Sequence, residues 1–130
     1  MTIPVEAVKN WLEDDPAWLS YGFEVHQGIW RDNATNVGKR LCVLTAMQPS
    51  SSNSLDIHYD SVRVILLSAR NGNADTNPLR SIVYGIRDRL ETDNRNCDVV
   101  QFRMIGGPVG PGFTVEERVW YEFTLRLIIG

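Results

Sequence analysis

Thr114-Val115-Glu116-Glu117-Arg118-Val119-Trp120-Tyr121-Glu122-Phe123-Thr124-Leu125-Arg126-Leu127-Ile128-Ile129 alternates apolar and polar residues almost to its end. Val115, Val119, Tyr121, Phe123, Leu125, Leu127 and Ile129 fall on one side, with Glu117 the single exception. Glu116, Arg118, Trp120, Glu122, Thr124, Arg126 and Ile128 fall on the other. A period of two predicts a strand with one face on a core and the other open to something else. At ~3.3 Å per residue the stretch spans roughly 50 Å, more than a small domain needs of one strand. Trp120 and Ile128 stand among the charges of the open side, a mixture that suits a subunit contact better than bare water. The chain reads as one built to assemble.

Working back from that strand, Gly106-Gly107-Pro108-Val109-Gly110-Pro111-Gly112 is a connecting loop, either an ordinary hairpin loop or an arm that docks on a neighbouring subunit. Asp98 to Ile105 is a strand through Val100, Phe102 and Met104. Asn77-Pro78 starts a helix, a cap followed by a good first helical residue. Its face is Leu79, Ile82, Val83, Ile86 and Leu90, opposite Arg80, Arg87, Asp88 and Glu91. Ile57 to Ala69 is a strand, and Pro49 to Ser54 a short polar loop before it. Arg40 to Met47 is apolar on both faces, which places it centrally in a sheet. Phe23 to Trp30 alternates, and the turn composition of Arg31 to Asn36 suggests a hairpin joining these two strands. Leu19 to Gly22 is a connector. Pro4 opens an N-terminal helix with Val5, Val8, Trp11 and Leu12 as its apolar stripe, ended by Asp14-Asp15-Pro16. The order helix, three strands, helix, two strands gives an α+β fold. We expect a two-layer sandwich, a mainly antiparallel sheet of about five strands with two helices packed on one face.

With 130 residues the chain is expected to form a single domain, residues 1–130, able to bury a core without staples. Apolar residues at 43% and charged residues at 22% are ordinary for a soluble protein. No apolar run approaches the ~20 residues of a membrane span, and the N-terminus lacks the regions of a signal peptide, so no membrane association and a cytoplasmic start are expected. Cys42 and Cys97 read as buried thiols, since a disulfide framework or metal cluster wants more cysteines at tighter spacing. A net charge of −3 and a pI near 5.3 argue against phosphate-backbone binding as the main task. Lys9 and Lys39 are the only lysines; the other basic residues are arginines, the cation favoured in protein interfaces.

Little in the sequence supports catalysis. His26 and His58 are the only histidines, each near a carboxylate, Glu24 and Asp56 respectively. They read as structural or surface residues rather than metal ligands, and no H-E-x-x-H, C-x-x-C or G-x-S-x-G pattern occurs. Gly106 to Gly112 fails as a phosphate cradle because no helix follows it and two prolines remove N–H donors. Glu13-Asp14-Asp15 reads as a solvated helix end. Trp11, Trp18, Trp30 and Trp120 read as packing rather than a stacking platform for bases. The expectation is no enzyme, no cofactor and no metal.

Two segments together carry a family resemblance. One is Val62-Arg63-Val64-Ile65-Leu66-Leu67-Ser68-Ala69-Arg70, a polar turn, and Leu79 to Leu90. The other is Gly107 to Gly112 followed by Val115-Glu116-Glu117-Arg118-Val119-Trp120-Tyr121-Glu122-Phe123-Thr124-Leu125. The arrangement resembles the tail terminator (tail completion) proteins of long-tailed bacteriophages, from Arg40 onward and with the N-terminal helix also fitting. Trp11 to Trp30 matches no specific motif of that family. The resemblance implies a structural virion protein that forms a ring, commonly a hexamer, on the head-proximal end of the tail tube. Its partners would be copies of itself, the tail tube protein and the head-tail connector, with no nucleic-acid specificity. On that reading Glu116, Arg118, Trp120 and Glu122 are candidates for ring contacts. Arg63 and Arg70, with the Ser50 to Ser54 loop, are candidates for the tube-facing or neighbour-facing surface. Arg118→Glu is then expected to impair assembly and leave the fold intact. Rival readings are another neck or head-completion protein, a tail-tube subunit, or a small ligand-binding α+β domain with a concave pocket.

Overall fold

Helical caps and strand alternation account for most of the elements observed. The computed structural model describes residues 4–27, 39–50, 58–69, 76–95, 101–114 and 118–129, with the backbone alone at 47–50, 58–60 and 129. The chain runs α1 (Pro4–Glu13), α2 (Pro16–Tyr21), β1 (Phe23–Gln27), β2 (Arg40–Ser50), β3 (His58–Leu67), α3 (Thr76–Arg89), β4 (Gln101–Phe113) and β5 (Val119–Ile129). The strands form one five-stranded sheet in the order β1-β2-β3-β5-β4. All neighbours are antiparallel except β1 and β2, so the sheet is mixed and the fold is α+β.

The helices cover one face. Val5, Val8, Trp11 and Leu12 of α1 and Leu79, Val83 and Ile86 of α3 are buried, as their helical spacing predicts. They share a core with Cys42 and Leu44 of β2, Val62, Val64 and Leu66 of β3, and Tyr121, Phe123, Leu125 and Leu127 of β5. Alternation in β5 therefore does what was expected of it. In β2, Leu41, Cys42, Val43 and Leu44 are all buried, which fits a strand flanked on both edges. Burial removes the Cys42 thiolate from stabilising water and pushes the thiol pKa up. Cys97 lies outside the described residues.

Four expectations need correction. The first is the hairpin between β1 and β2, because these strands are parallel, with Phe23 beside Arg40 and Gln27 beside Leu44. A hairpin reverses the chain; a parallel neighbour requires it to travel back along the sheet, which takes about a dozen residues. Residues 28–39 supply that length, and the turn-like Arg31 to Asn36 within them lies outside the described residues. Turn composition signals irregular chain, not the direction of the next strand.

The second concerns Leu19 to Gly22, which belongs mostly to α2 rather than to a connector. Asp15 caps this helix by accepting from Ala17 N at 3.0 Å, Pro16 opens it, and Gly22 ends it at φ +77°. Its Trp18 and Tyr21 pack on Phe23, with ring centroids 4.4 and 4.6 Å away.

The third is the glycine-proline loop, which lies within β4. Register shifts between Met104 and Gly106, Gly106 and Val109, and Val109 and Gly112 let that irregular sequence stay beside β5. Gly107 and Gly110 have φ of +91° and +134°, and a Cβ on either would lie 2.7 Å from a β5 carbonyl oxygen. Glycine is what allows the two backbones this close.

The fourth is the length of the final strand. Thr114 N donates to Arg118 O at 2.9 Å and Arg118 N donates to Thr114 Oγ1 at 3.1 Å, so these two residues close the turn between β4 and β5. The regular strand begins at Val119; Val115 to Glu117 lie outside the described residues.

Candidate functional site on the open face of the sheet

No described helix covers the second face. Leu41 and Val43 of β2 and Leu67 of β3 form a small buried group there, with Ile65 and Trp120 packed against it. Register explains the gathering, since Leu67 stands opposite Trp120 and Ile65 opposite Glu122. Val43, Ile65, Leu67, Trp120 and Glu122, with Thr45, Arg63 and Thr114, line a shallow groove of about 460 Å³. The Trp120 indole lies across Gly112, where an added Cβ would fall 2.1 Å from Cε2. Glycine at that position leaves the ring room to lie flat on the edge strand.

Arg63 and Glu122 bridge the middle of this face. Arg63 Nε donates to Glu122 Oε1 at 2.6 Å and Nη2 to Oε2 at 2.8 Å, a bidentate pair on neighbouring strands. Donating to the Glu122 carboxylate raises the pKa of the guanidinium further, so Arg63 stays charged at any working pH. Its side chain is 46% exposed, so solvent screens the pair. A double-mutant cycle with Arg63→Ala and Glu122→Ala, read by urea denaturation, should give a coupling of about 0.2–1 kcal/mol. A larger value would mean that the pair holds the sheet rather than dresses its surface.

Of the residues singled out from sequence, Arg63, Trp120 and Glu122 converge here. Arg118 does not. It is fully buried, with Nη1 donating to Lys39 O at 2.9 Å and Ser68 O at 2.7 Å. Ser68 completes the knot: its N–H donates to Val119 O, and its Oγ accepts from Val119 N, both at 2.9 Å. An exposed position for Arg118 is therefore overturned, because burial needs its donors for backbone carbonyls. Arg70 and Glu116 lie outside the described residues, as does the Ser51 to Ser54 part of the serine-rich loop.

The apolar floor escaped the sequence reading, although a signal existed. Val62-Arg63-Val64-Ile65-Leu66-Leu67 is too apolar for a strand with one wet face, which marks Ile65 and Leu67 as covering something.

Elsewhere, His26 sits 3.5 Å from Glu24, and Glu24 also pairs with Lys39 at 3.1 Å. The His58 side chain is not among those described. A second cavity of about 530 Å³ is lined by Tyr21, Gly22, Phe23, Glu24, Lys39, Arg40 and Ala69. Arg40 lies 4.1 Å over the Tyr21 ring and donates to its carbonyl, so this cation holds α2 to the sheet. Among the described residues no three His, Cys, Asp or Glu side chains cluster as a metal site would require. No described helix is long and apolar enough to cross a membrane.

An α+β domain whose half-exposed sheet face mixes tryptophan, aliphatics and a bidentate arginine pair has the chemistry of an assembling structural protein. The model of the phage tail termination protein family matches residues 1–130, the whole chain. The chain belongs to that family, a family of structural proteins of the virion tail. No curated protein sequence gives a significant match.

Proposed function

We propose that the protein caps the head-proximal end of the phage tail tube as a closed ring, commonly of six copies. The ring ends tube polymerisation and offers the head-tail connector its seat. The family match over the full chain carries this reading. Its partners are other copies of itself, the tube protein and the connector; it works at the neck end of the tail after assembly in the host cytoplasm.

Two structural facts support the reading physically. The open face provides an interface-type surface. The edge strand β4 is interrupted by three register shifts and by Pro108 and Pro111, which have no N–H to offer. Such an edge does not template another strand, and a part that terminates growth gains from an edge that cannot extend the sheet. A heterologous contact that closes on itself stops, whereas one that fails to close makes a filament.

The test uses tail tubes grown with and without the purified protein, viewed by negative-stain electron microscopy. Tubes grown with it should stop elongating and carry ring density at one end. Unchecked elongation with bare ends at saturating protein would reject the proposal.

A further inference from the structure

Resting on the ring reading above, we propose that neighbouring copies meet margin to margin, the β4 edge of one sheet against the α2–β1 edge of the next. The positions of the exposed apolar side chains carry this. Among the described residues four large apolar side chains are exposed, Leu19, Ile105, Val109 and Phe113, at 44–61%. Three belong to β4, the outer strand at one end of the sheet. Leu19 belongs to α2, whose Trp18 and Tyr21 rest on Phe23 of β1, the outer strand at the other end. Since α1 packs over β2 and β3, and α3 over β4 and β5, α2 holds the β1 side of the helical layer.

Polarity agrees with this placement. Pro16 to Phe23 and Met104 to Phe113 carry no charged side chain, and the second stretch carries no polar one either. A partner can therefore dry either stretch without stripping water from a charge on it. The contact runs through side chains, because the register shifts of β4 and its two prolines deny the next copy a continuous ladder.

A second copy is the partner that suits both margins at once. Head-to-tail packing gives each copy one neighbour per side and covers all four side chains with a single kind of contact. A two-fold contact joins like margins, β4 to β4 or α2 to α2, and leaves the other kind wet. The area is sufficient. Past β1 the shorter margin continues along β2, because β1 pairs only with Arg40 to Leu44 of an 11-residue strand. At ~3.3 Å per residue and about 20 Å for a sheet with its helical layer, that margin presents roughly 700 Å². A standard stable interface takes ~800 Å² from each partner.

The experiment places one carboxylate on each margin of the full chain, Leu19→Glu on one and Phe113→Glu on the other. Both positions face solvent, so thermal melts should stay close to wild type; if either variant melts early, Leu19→Gln or Val109→Glu replaces it. Labelled protein is added to tail tubes, cross-linked with glutaraldehyde and resolved on a denaturing gel, and rings are counted by electron microscopy. Wild type should give a ladder up to the full ring. Each variant alone should stay monomeric on the gel and need roughly tenfold more protein for rings, since a carboxylate is dried there without a partner. An equimolar mixture should give pairs and nothing larger. The intact β4 margin of the Leu19→Glu copy then meets the intact α2–β1 margin of the Phe113→Glu copy, and both outer margins carry a charge.

Rings from either variant at wild-type concentrations would overturn the contact and leave the capping function standing. Cross-linked pairs of one variant with itself, or a mixture without pairs, would also overturn it. Intact rings that no longer attach to tubes would give the margin to the tube protein and overturn it likewise. Wild-type protein that leaves tubes bare and growing would remove the capping proposal, and this contact with it.

Discussion

Arg118→Ala should lower the stability of the fold by about 3–5 kcal/mol. The guanidinium is fully buried, and its Nη1 donates to the carbonyls of Lys39 and Ser68 at 2.9 and 2.7 Å. Leaving a buried acceptor without its donor costs about 1–3 kcal/mol each, and the void left by a long side chain adds to that. At this chain length the melting temperature should drop by roughly 10–20 °C, measurable by circular dichroism. Arg118→Lys keeps a cation able to reach a carbonyl and should fall between wild type and alanine. Arg118→Glu sets a carboxylate against carbonyl oxygens and should fail to fold. Assembly defects in Arg118 variants must therefore track loss of fold, the opposite of what an exposed ring contact would give. A stable, assembly-deficient Arg118→Glu protein would refute this placement.

Trp11→Ala is the second large effect, with an expected cost of about 3–5 kcal/mol from loss of a buried aromatic. Trp11 is inaccessible to solvent and joins three elements. Its Nε1 donates to Asp93 O at 2.9 Å, just beyond α3, and its ring meets Phe102 of β4 at 5.3 Å. The Arg89 guanidinium lies 4.0 Å over the ring and donates to the Trp11 carbonyl at 2.8 Å. Arg89 Nε also holds the Asp93 carboxylate at 2.9 Å. Removing the indole opens a cavity, orphans the Asp93 carbonyl and leaves Arg89 without its platform. Trp11→Phe preserves most of the packing and should lose far less. Urea denaturation separates the two; equal midpoints for the alanine and wild-type proteins would show that α1 contributes nothing to the core.

Neither effect was visible in the sequence to the same degree. The spacing of Trp11 with Val8 and Leu12 obeys the helical repeat, which puts it on the buried stripe of α1. Its tie to Arg89 and Asp93 lies beyond any such pattern, because that contact depends on where α3 ends over α1. The burial of Arg118 is not legible in the sequence, because alternation records which side of a strand a residue occupies, not whether that side is wet. At the start of β5 the open side is roofed by the carbonyls of Lys39 and Ser68. A charged residue there looks like surface until those carbonyls are in place. The short helix α2 is the reverse case: Asp15-Pro16 and Gly22 are a cap, a first-turn proline and a left-handed terminus, and six residues between them suffice for a helix.

Local chemistry, residue by residue, was enough to establish the α+β class, the two longer helices and the core side of the last strand. Those depend on periodicity and caps, which act over a few residues and need no distant partner. Tertiary structure alone decided that β1 runs parallel to β2, that the glycine-proline segment joins the sheet, and that Arg103 faces Arg126. These are matters of strand direction and register. Residues far apart in sequence settle them by competing for one core and one set of backbone partners, and no stretch of chain records that outcome by itself.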